Sequence, residues 1–158
     1  MRRSMLFLPG NTPNIIINGD SLGADCVILD LEDAVAPDQK DAARILVRNA
    51  IGLMGFSGCE VTVRINSIDT PYWKKDLDEI VPLKPALIMP TKVSCATDVQ
   101  TVAAYMGEIE ARHGIVGAVG HTDATDAQAR AAIDQVVRGG AREGRAIATH
   151  VFNGMRPL

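Results

Sequence analysis

Cys26-Val-Ile-Leu-Asp30-Leu-Glu32-Asp33-Ala-Val35 sets an apolar run against three acids within four positions, with Pro37 two residues further on. An apolar run stopped by carboxylates and a proline reads as a buried parallel strand whose C-terminal end opens onto a polar mouth. In α/β folds that end is where the chemistry sits. Side chains alternate along a strand, so Asp30 and Glu32 share one side, opposite Leu29 and Leu31. Two readings stay open: the acids crowd together to hold a divalent metal or position a cation, or one caps the next helix while the other meets an arginine.

The same grammar repeats outward from this stretch. Ser4-Met-Leu-Phe-Leu8 ends at Pro9-Gly10-Asn11-Thr12-Pro13, which predicts a strand, a turn and a helix over roughly 14–22 closed by Gly23. Asp38 is the expected N-cap of a helix carrying Ala42, Leu46, Val47, Ala50 and Leu53, and Gly55 and Gly58 end it. Glu60 to Asn66 alternates as a third strand, Trp73 to Ile80 is a short charged helix, and Ala86 to Met89 is a fourth strand running into Pro90-Thr91-Lys92. Thr97-Asp-Val-Gln100 fits a capping box ahead of an apolar stripe of Val99, Val102, Ala103, Met106 and Ile109. Beyond Gly114, residues 115–119 and 146–152 predict fifth and sixth strands around a helix opened by Thr125-Asp-Ala-Gln128.

A strand and helix period of about 30 residues implies right-handed crossovers and a parallel sheet. The expected fold is α/β: a partial (β/α) TIM-barrel-like parallel sheet of about six βα units in one domain, 1–158. Pro9-Gly10-Asn11 offers one glycine where a dinucleotide-binding turn needs several, which ranks the barrel above a Rossmann domain. Six units leave two open edges, so completion by homo-oligomerisation or a rearranged closed form is expected.

Composition narrows the function. A net charge of −3 argues against a general nucleic-acid or anionic-membrane binder. No apolar run approaches the roughly 20 residues that span a bilayer, and the patch after Arg2-Arg3 is too short for a signal-peptide core. The expected location is cytoplasmic. Cys26, Cys59 and Cys95 lie far apart with no CxxC pairing, which points to free thiols rather than disulfides or a thiolate zinc site.

Residues 1–114 resemble the N-terminal half of the citrate lyase β-subunit, within the HpcH/CitE family of carbon–carbon lyases. The resemblance rests on Arg2-Arg-Ser-Met-Leu-Phe-Leu-Pro-Gly10-Asn11, Leu22-Gly-Ala-Asp25, Asp30-Leu-Glu-Asp-Ala-Val35, Lys40-Asp-Ala-Ala-Arg44 and Val63-Arg-Ile-Asn66. It implies a (β/α)8 barrel that uses Mg²⁺ to stabilise the enolate formed when a 3-hydroxyacyl (citryl) thioester is cleaved to a carbonyl compound and an acyl thioester. It implies catalytic roles for Glu32, Asp33 and Arg64, with Arg64 on the substrate carboxylates, Asn66 and Lys92 beside it, and Glu32 supporting the metal. Pro90-Thr-Lys92 stands where the family has Pro-Lys directly, and the family's downstream metal-binding Glu and Asp are absent, so little or no activity is expected.

Residues from about 115 to 158 resemble a second barrel family, N-acetylglucosamine-6-phosphate deacetylase. Here the resemblance rests on Val119-Gly-His121-Thr-Asp-Ala-Thr125, Gln128-Ala-Arg-Ala-Ala-Ile-Asp134 and Ala148-Thr-His150-Val-Phe-Asn-Gly-Met155-Arg-Pro157. It implies His121 and His150 as ligands of Zn²⁺ or Fe²⁺, with Glu32 as a third donor only if the hybrid barrel closes. Two lineages joined near Gly114 make a chimera the expected origin, and a non-catalytic chimeric α/β fragment that folds and self-assembles is the alternative to the lyase.

Overall fold

The computed structural model describes residues 2–113 and the strands at 118–120 and 147–149. The chain divides into two compact units, 1–92 and 93–158.

In the first unit, β1 (Met5–Pro9), β2 (Cys26–Asp30), β3 (Glu60–Arg64) and β4 (Leu87–Met89) form one parallel sheet in the order β1-β2-β3-β4. All five residues of β2 are buried, as a strand covered on both faces requires. With Val63 and Ile65 of the β3 segment, Val27, Ile28 and Leu29 form a core of side chains at most 1% exposed. Each such side chain stabilises the fold by about 1.5–3 kcal/mol relative to exposure. At the described edge, β1 leaves Met5, Leu6 and Phe7 exposed.

Three helices follow these strands: α1 (Pro13–Ile17), α2 (Lys40–Met54) and α3 (Trp73–Ile80), with α2 packed beside both α1 and α3. The helix expected over 14–22 is broken. It ends after Ile17, where Asn18 Nδ2 donates to the Asn14 carbonyl, and a 3₁₀ turn over Gly19–Leu22 follows. Gly19 lies so close to the core that a Cβ there would stand 3.0 Å from Leu8 Cδ1 and 3.3 Å from Phe56 Cε1.

Asp38 is not the N-cap of α2. It lies inside a 3₁₀ turn over Pro37–Gln39 that precedes the helix, and its side chain makes no capping bond. The buried face of α2 is Ala43, Val47 and Ala50, with Lys40 and Arg44 on the same side, while Ala42 and Leu53 are exposed. The stripe is turned from its expected position because two cationic residues point inward.

The second unit contains α4 (Ala96–His113) and a parallel pair, β5 (Ala118–Gly120) with β6 (Ile147–Thr149). The cap of α4 is set two residues before the expected box. Asp98 accepts from the Ser94 and Cys95 amides at 2.8 and 3.1 Å, and these bonds hold its carboxyl down to about 2. Val102 and Ile109 of the expected stripe are buried.

Candidate functional site

Parallel strands carry all their C-terminal ends to one edge. Pro9, Asp30 and Arg64 stand side by side in register across β1, β2 and β3, and Met89 of β4 is in register with Arg64. Gly10 follows β1 without a side chain, so its amide reaches the Asp30 carbonyl at 2.8 Å, where a Cβ would meet that oxygen at 2.6 Å.

Asp30 is 1% exposed and fully engaged. Its Oδ1 accepts from Arg64 Nε and the Glu32 amide, both at 2.8 Å, and its Oδ2 from Arg64 Nη2 at 2.5 Å and the Ala34 amide at 3.1 Å. Burial alone pushes the Asp30 carboxyl up, but the Arg64 guanidinium and the two amides outweigh it and hold the group below its ordinary value. Both halves of the second reading therefore fall on Asp30 alone, which caps the following loop rather than the next helix and pairs with an arginine.

That pairing aims Arg64. With Nε and Nη2 on Asp30 and its guanidinium carbon 4.8 Å from the centre of the Phe7 ring, the third nitrogen, Nη1, stands 3.9 Å from both Glu32 Oε2 and Asp33 Oδ2. The Asp30 bonds raise the guanidinium above its already high value, so its charge is permanent. Lys92 approaches the same acids from the β4 side. Its Nζ is 2.7 Å from Glu32 Oε1 and 3.5 Å from Asp33 Oδ1, and Thr91 Oγ1 ties the turn to the Ile65 carbonyl at 3.1 Å.

One further positioning residue, Lys40, was visible in the sequence only as part of a motif. Its buried Nζ donates to the Leu31 and Glu32 carbonyls at 2.7 and 2.6 Å, which fixes the acid loop from behind. Burial lowers its affinity for the proton, against the pull of Asp76, Glu32, Asp30 and Asp33. The available signal was a lysine at a helix start, where the macrodipole disfavours it and only tertiary contacts hold it.

Asn66 is placed differently from the other expected site residues. Its backbone amide and Nδ2 donate to Asp76 Oδ2 at 3.0 and 2.7 Å, while Arg44 Nε donates to Asp76 Oδ1 at 2.8 Å. The structure thus gathers Glu32, Asp33, Arg64 and Lys92 at the strand ends and ties Asn66 into a buried network. His121 and His150 lie outside the described residues.

Among the described residues no three His, Cys, Asp or Glu side chains are grouped to hold a metal. Glu32 and Asp33 face Lys92 and Arg64 instead, so these residues alone do not fit a magnesium centre. Three carboxylates, Asp30, Glu32 and Asp33, are met here by two cations, Arg64 and Lys92, while the Lys40 ammonium bonds the Leu31 and Glu32 carbonyls behind them.

Comparison with known proteins identifies the family. The HpcH/HpaI aldolase/citrate lyase family model matches residues 3–137. The chain belongs to that family. The citrate lyase subunit beta of Leuconostoc mesenteroides subsp. cremoris is 36% identical over 114 residues, 72% of this chain and 38% of the relative. An L-malyl-CoA/beta-methylmalyl-CoA lyase of Cereibacter sphaeroides is 39% identical over 115 residues, 71% of this chain and 36% of the relative. The chain therefore spans little more than a third of the length of these two lyases. Among solved structures, the CitE protein of Mycobacterium tuberculosis in complex with magnesium and acetate superimposes with a TM-score of 0.54 at 25% identity, covering 94% of this chain and 74% of that one.

The four-stranded sheet is thus part of a TIM-barrel-like α/β fold, as expected, and magnesium is bound by a structural neighbour. The family match continues past Gly114 to residue 137, across the junction expected from the second resemblance. Among the described residues no helix is long and apolar enough to cross a membrane.

Proposed function

We propose that the chain is a lyase segment that receives the carboxylate end of a 3-hydroxyacyl CoA thioester, citryl or malyl, and turns it over slowly or not at all. The observation that carries this reading is Arg64, locked to Asp30 through two nitrogens with the third directed toward Glu32 and Asp33. A charged nitrogen held in place at a strand end suits a substrate carboxylate. The neighbouring carboxylates suit acceptance of the substrate's 3-hydroxyl proton. In the cleavage that proton passes to Glu32 or Asp33, the C2–C3 bond breaks to leave a carbonyl compound, and the resulting thioester enolate takes a proton at C2. Asn66 supports the β3 end through Asp76. Magnesium is the cofactor the family points to, and little turnover is expected because the downstream metal-binding Glu and Asp implied by the resemblance are not found in the sequence.

The test pairs calorimetric titration of malyl-CoA with chromatography of acetyl-CoA release in the presence of Mg²⁺. The expected result is binding that weakens about tenfold in Arg64→Lys, which keeps the charge and loses the fork, with release near the uncatalysed rate. Absence of binding overturns the substrate assignment, and rapid release overturns the low turnover.

Self-association is the companion reading, supported by the exposed Met5, Leu6 and Phe7 on edge strand β1. Molecular mass in solution tests it, and a monomer contradicts it. The chimeric, deacetylase-like reading has less support, since the family match leaves only residues 138–158 to a second lineage. Zinc or iron at His121 and His150 gains nothing from the comparisons.

A further inference from the structure

The disagreement between the acid pair and a metal centre has a definite structural form. Glu32 is nearly buried, with a side chain 6% exposed, and its two oxygens are separately engaged: Oε2 accepts from the Asp33 amide at 3.0 Å and Oε1 meets Lys92 Nζ at 2.7 Å. The same ammonium is 3.5 Å from Asp33 Oδ1, so one cation bridges one oxygen of each carboxylate. Arg64 Nη1 faces the other two oxygens at a looser 3.9 Å.

Lys92 stands at φ +53°, in the left-handed region, directly after Thr91, whose hydroxyl is anchored on the Ile65 carbonyl at 3.1 Å. From that turn its ammonium returns to Glu32 and Asp33.

We infer that Lys92 is the built-in counter-cation of the acid pair, so that a divalent ion approaching Glu32 and Asp33 must compete with it. A nearly buried carboxylate requires a cationic or hydrogen-bonding partner. Lys92 meets that requirement from within the chain, beside the Arg64 guanidinium and with the Lys40 charge behind the loop. Removing the ammonium leaves Glu32 Oε1 without its cation and creates a demand that a divalent ion can meet. The inference takes only the location of the site from the proposed function, and nothing from the reaction.

The test uses Mn²⁺ as an EPR-visible divalent probe of the whole chain, with no thioester present. Lys92→Met is expected to bind Mn²⁺ about tenfold more tightly than wild type, the order expected for removing one positive charge a few ångströms from a divalent ion near the surface. Lys92→Arg should bind as wild type does, and Glu32→Gln in the Lys92→Met background should lose the gain. Lys92 has a side chain 63% exposed, so folding should survive, and circular dichroism checks this. Lys92→Gln serves with the same readout if it does not. Mn²⁺ binding by the variant no tighter than by wild type overturns the inference. Failure to bind malyl-CoA would instead overturn only the substrate assignment.

Discussion

Two carboxylate and guanidinium pairs lie within the first unit and use the same chemistry to different ends. Between α2 and α3, Arg44 and Asp76 have side chains 6% and 1% exposed, and Asp76 is closed off by Asn66. At the strand ends Asp30 is equally buried, but its partner Arg64 is 20% exposed and keeps one nitrogen directed toward other acids. The first pair is sealed between the helices, its guanidinium reaching outward only to Asp41 one turn back on α2; the second carries a fixed charge toward the acid pair at the strand ends. Burial of the carboxylate is common to both, and the exposure of the guanidinium separates the structural pair from the functional one.

Breaking the closed pair should have the largest effect. Asp76→Ala leaves the buried Arg44 charge with only the exposed Asp41 as an acidic partner and orphans two donors of Asn66, which costs about 3–5 kcal/mol, read as a lower urea midpoint. Arg64→Met should cost less, about 1–3 kcal/mol, because the side chain is partly solvated.

The Arg64 change also alters the acid limb of stability. In wild type the Asp30 carboxyl titrates below its ordinary value, so its stabilisation is present above the unfolded value near 4 and is lost as pH falls through the lower folded value. Without Arg64 the upward push of burial loses its main opponent, and acid unfolding should begin at higher pH. An unchanged acid midpoint in Arg64→Met would remove the distinction between the two pairs.

Lys40→Met sharpens the comparison from behind the strand ends. It loses two bonds to carbonyls but also relieves a buried charge, so the net cost should be only about 1 kcal/mol. Amide exchange at residues 32–35 should quicken while the Arg44 and Asp76 region is unaffected. The smallest effect is chemical. Exposed Cys95 should react first with a thiol reagent, and half-buried Cys59 later because burial and Asp20 push its thiol up to about 11. Buried Cys26 should react last.

The strands and the acid-bearing end of β2 were legible in the sequence because burial on both faces demands unbroken apolar runs, and runs such as Cys26 to Leu29 have few alternative conformations. Glu32, Asp33, Arg64 and Lys92 were legible as a group because strand ends in a parallel sheet share one edge. What escaped depends on contacts between distant residues. The break after Ile17 is set by Leu8 and Phe56 against Gly19, the inward turn of α2 by Lys40 and Arg44, and the closed pair by a separation of 32 residues between Arg44 and Asp76. Asn66 has the composition of a site residue, and only the position of Asp76 shows that its amide is already committed.

The central claim is that Asp30 locks Arg64 and aims its remaining nitrogen at the acid pair. The most direct measurement is the ¹⁵N NMR spectrum of the arginine side chains in wild type and Asp30→Asn. The account predicts a slowly exchanging Arg64 Nε–H and resolved, rotationally hindered Nη protons in wild type, both lost in the variant. An averaged, fast-exchanging Arg64 signal that is the same in both proteins would contradict it.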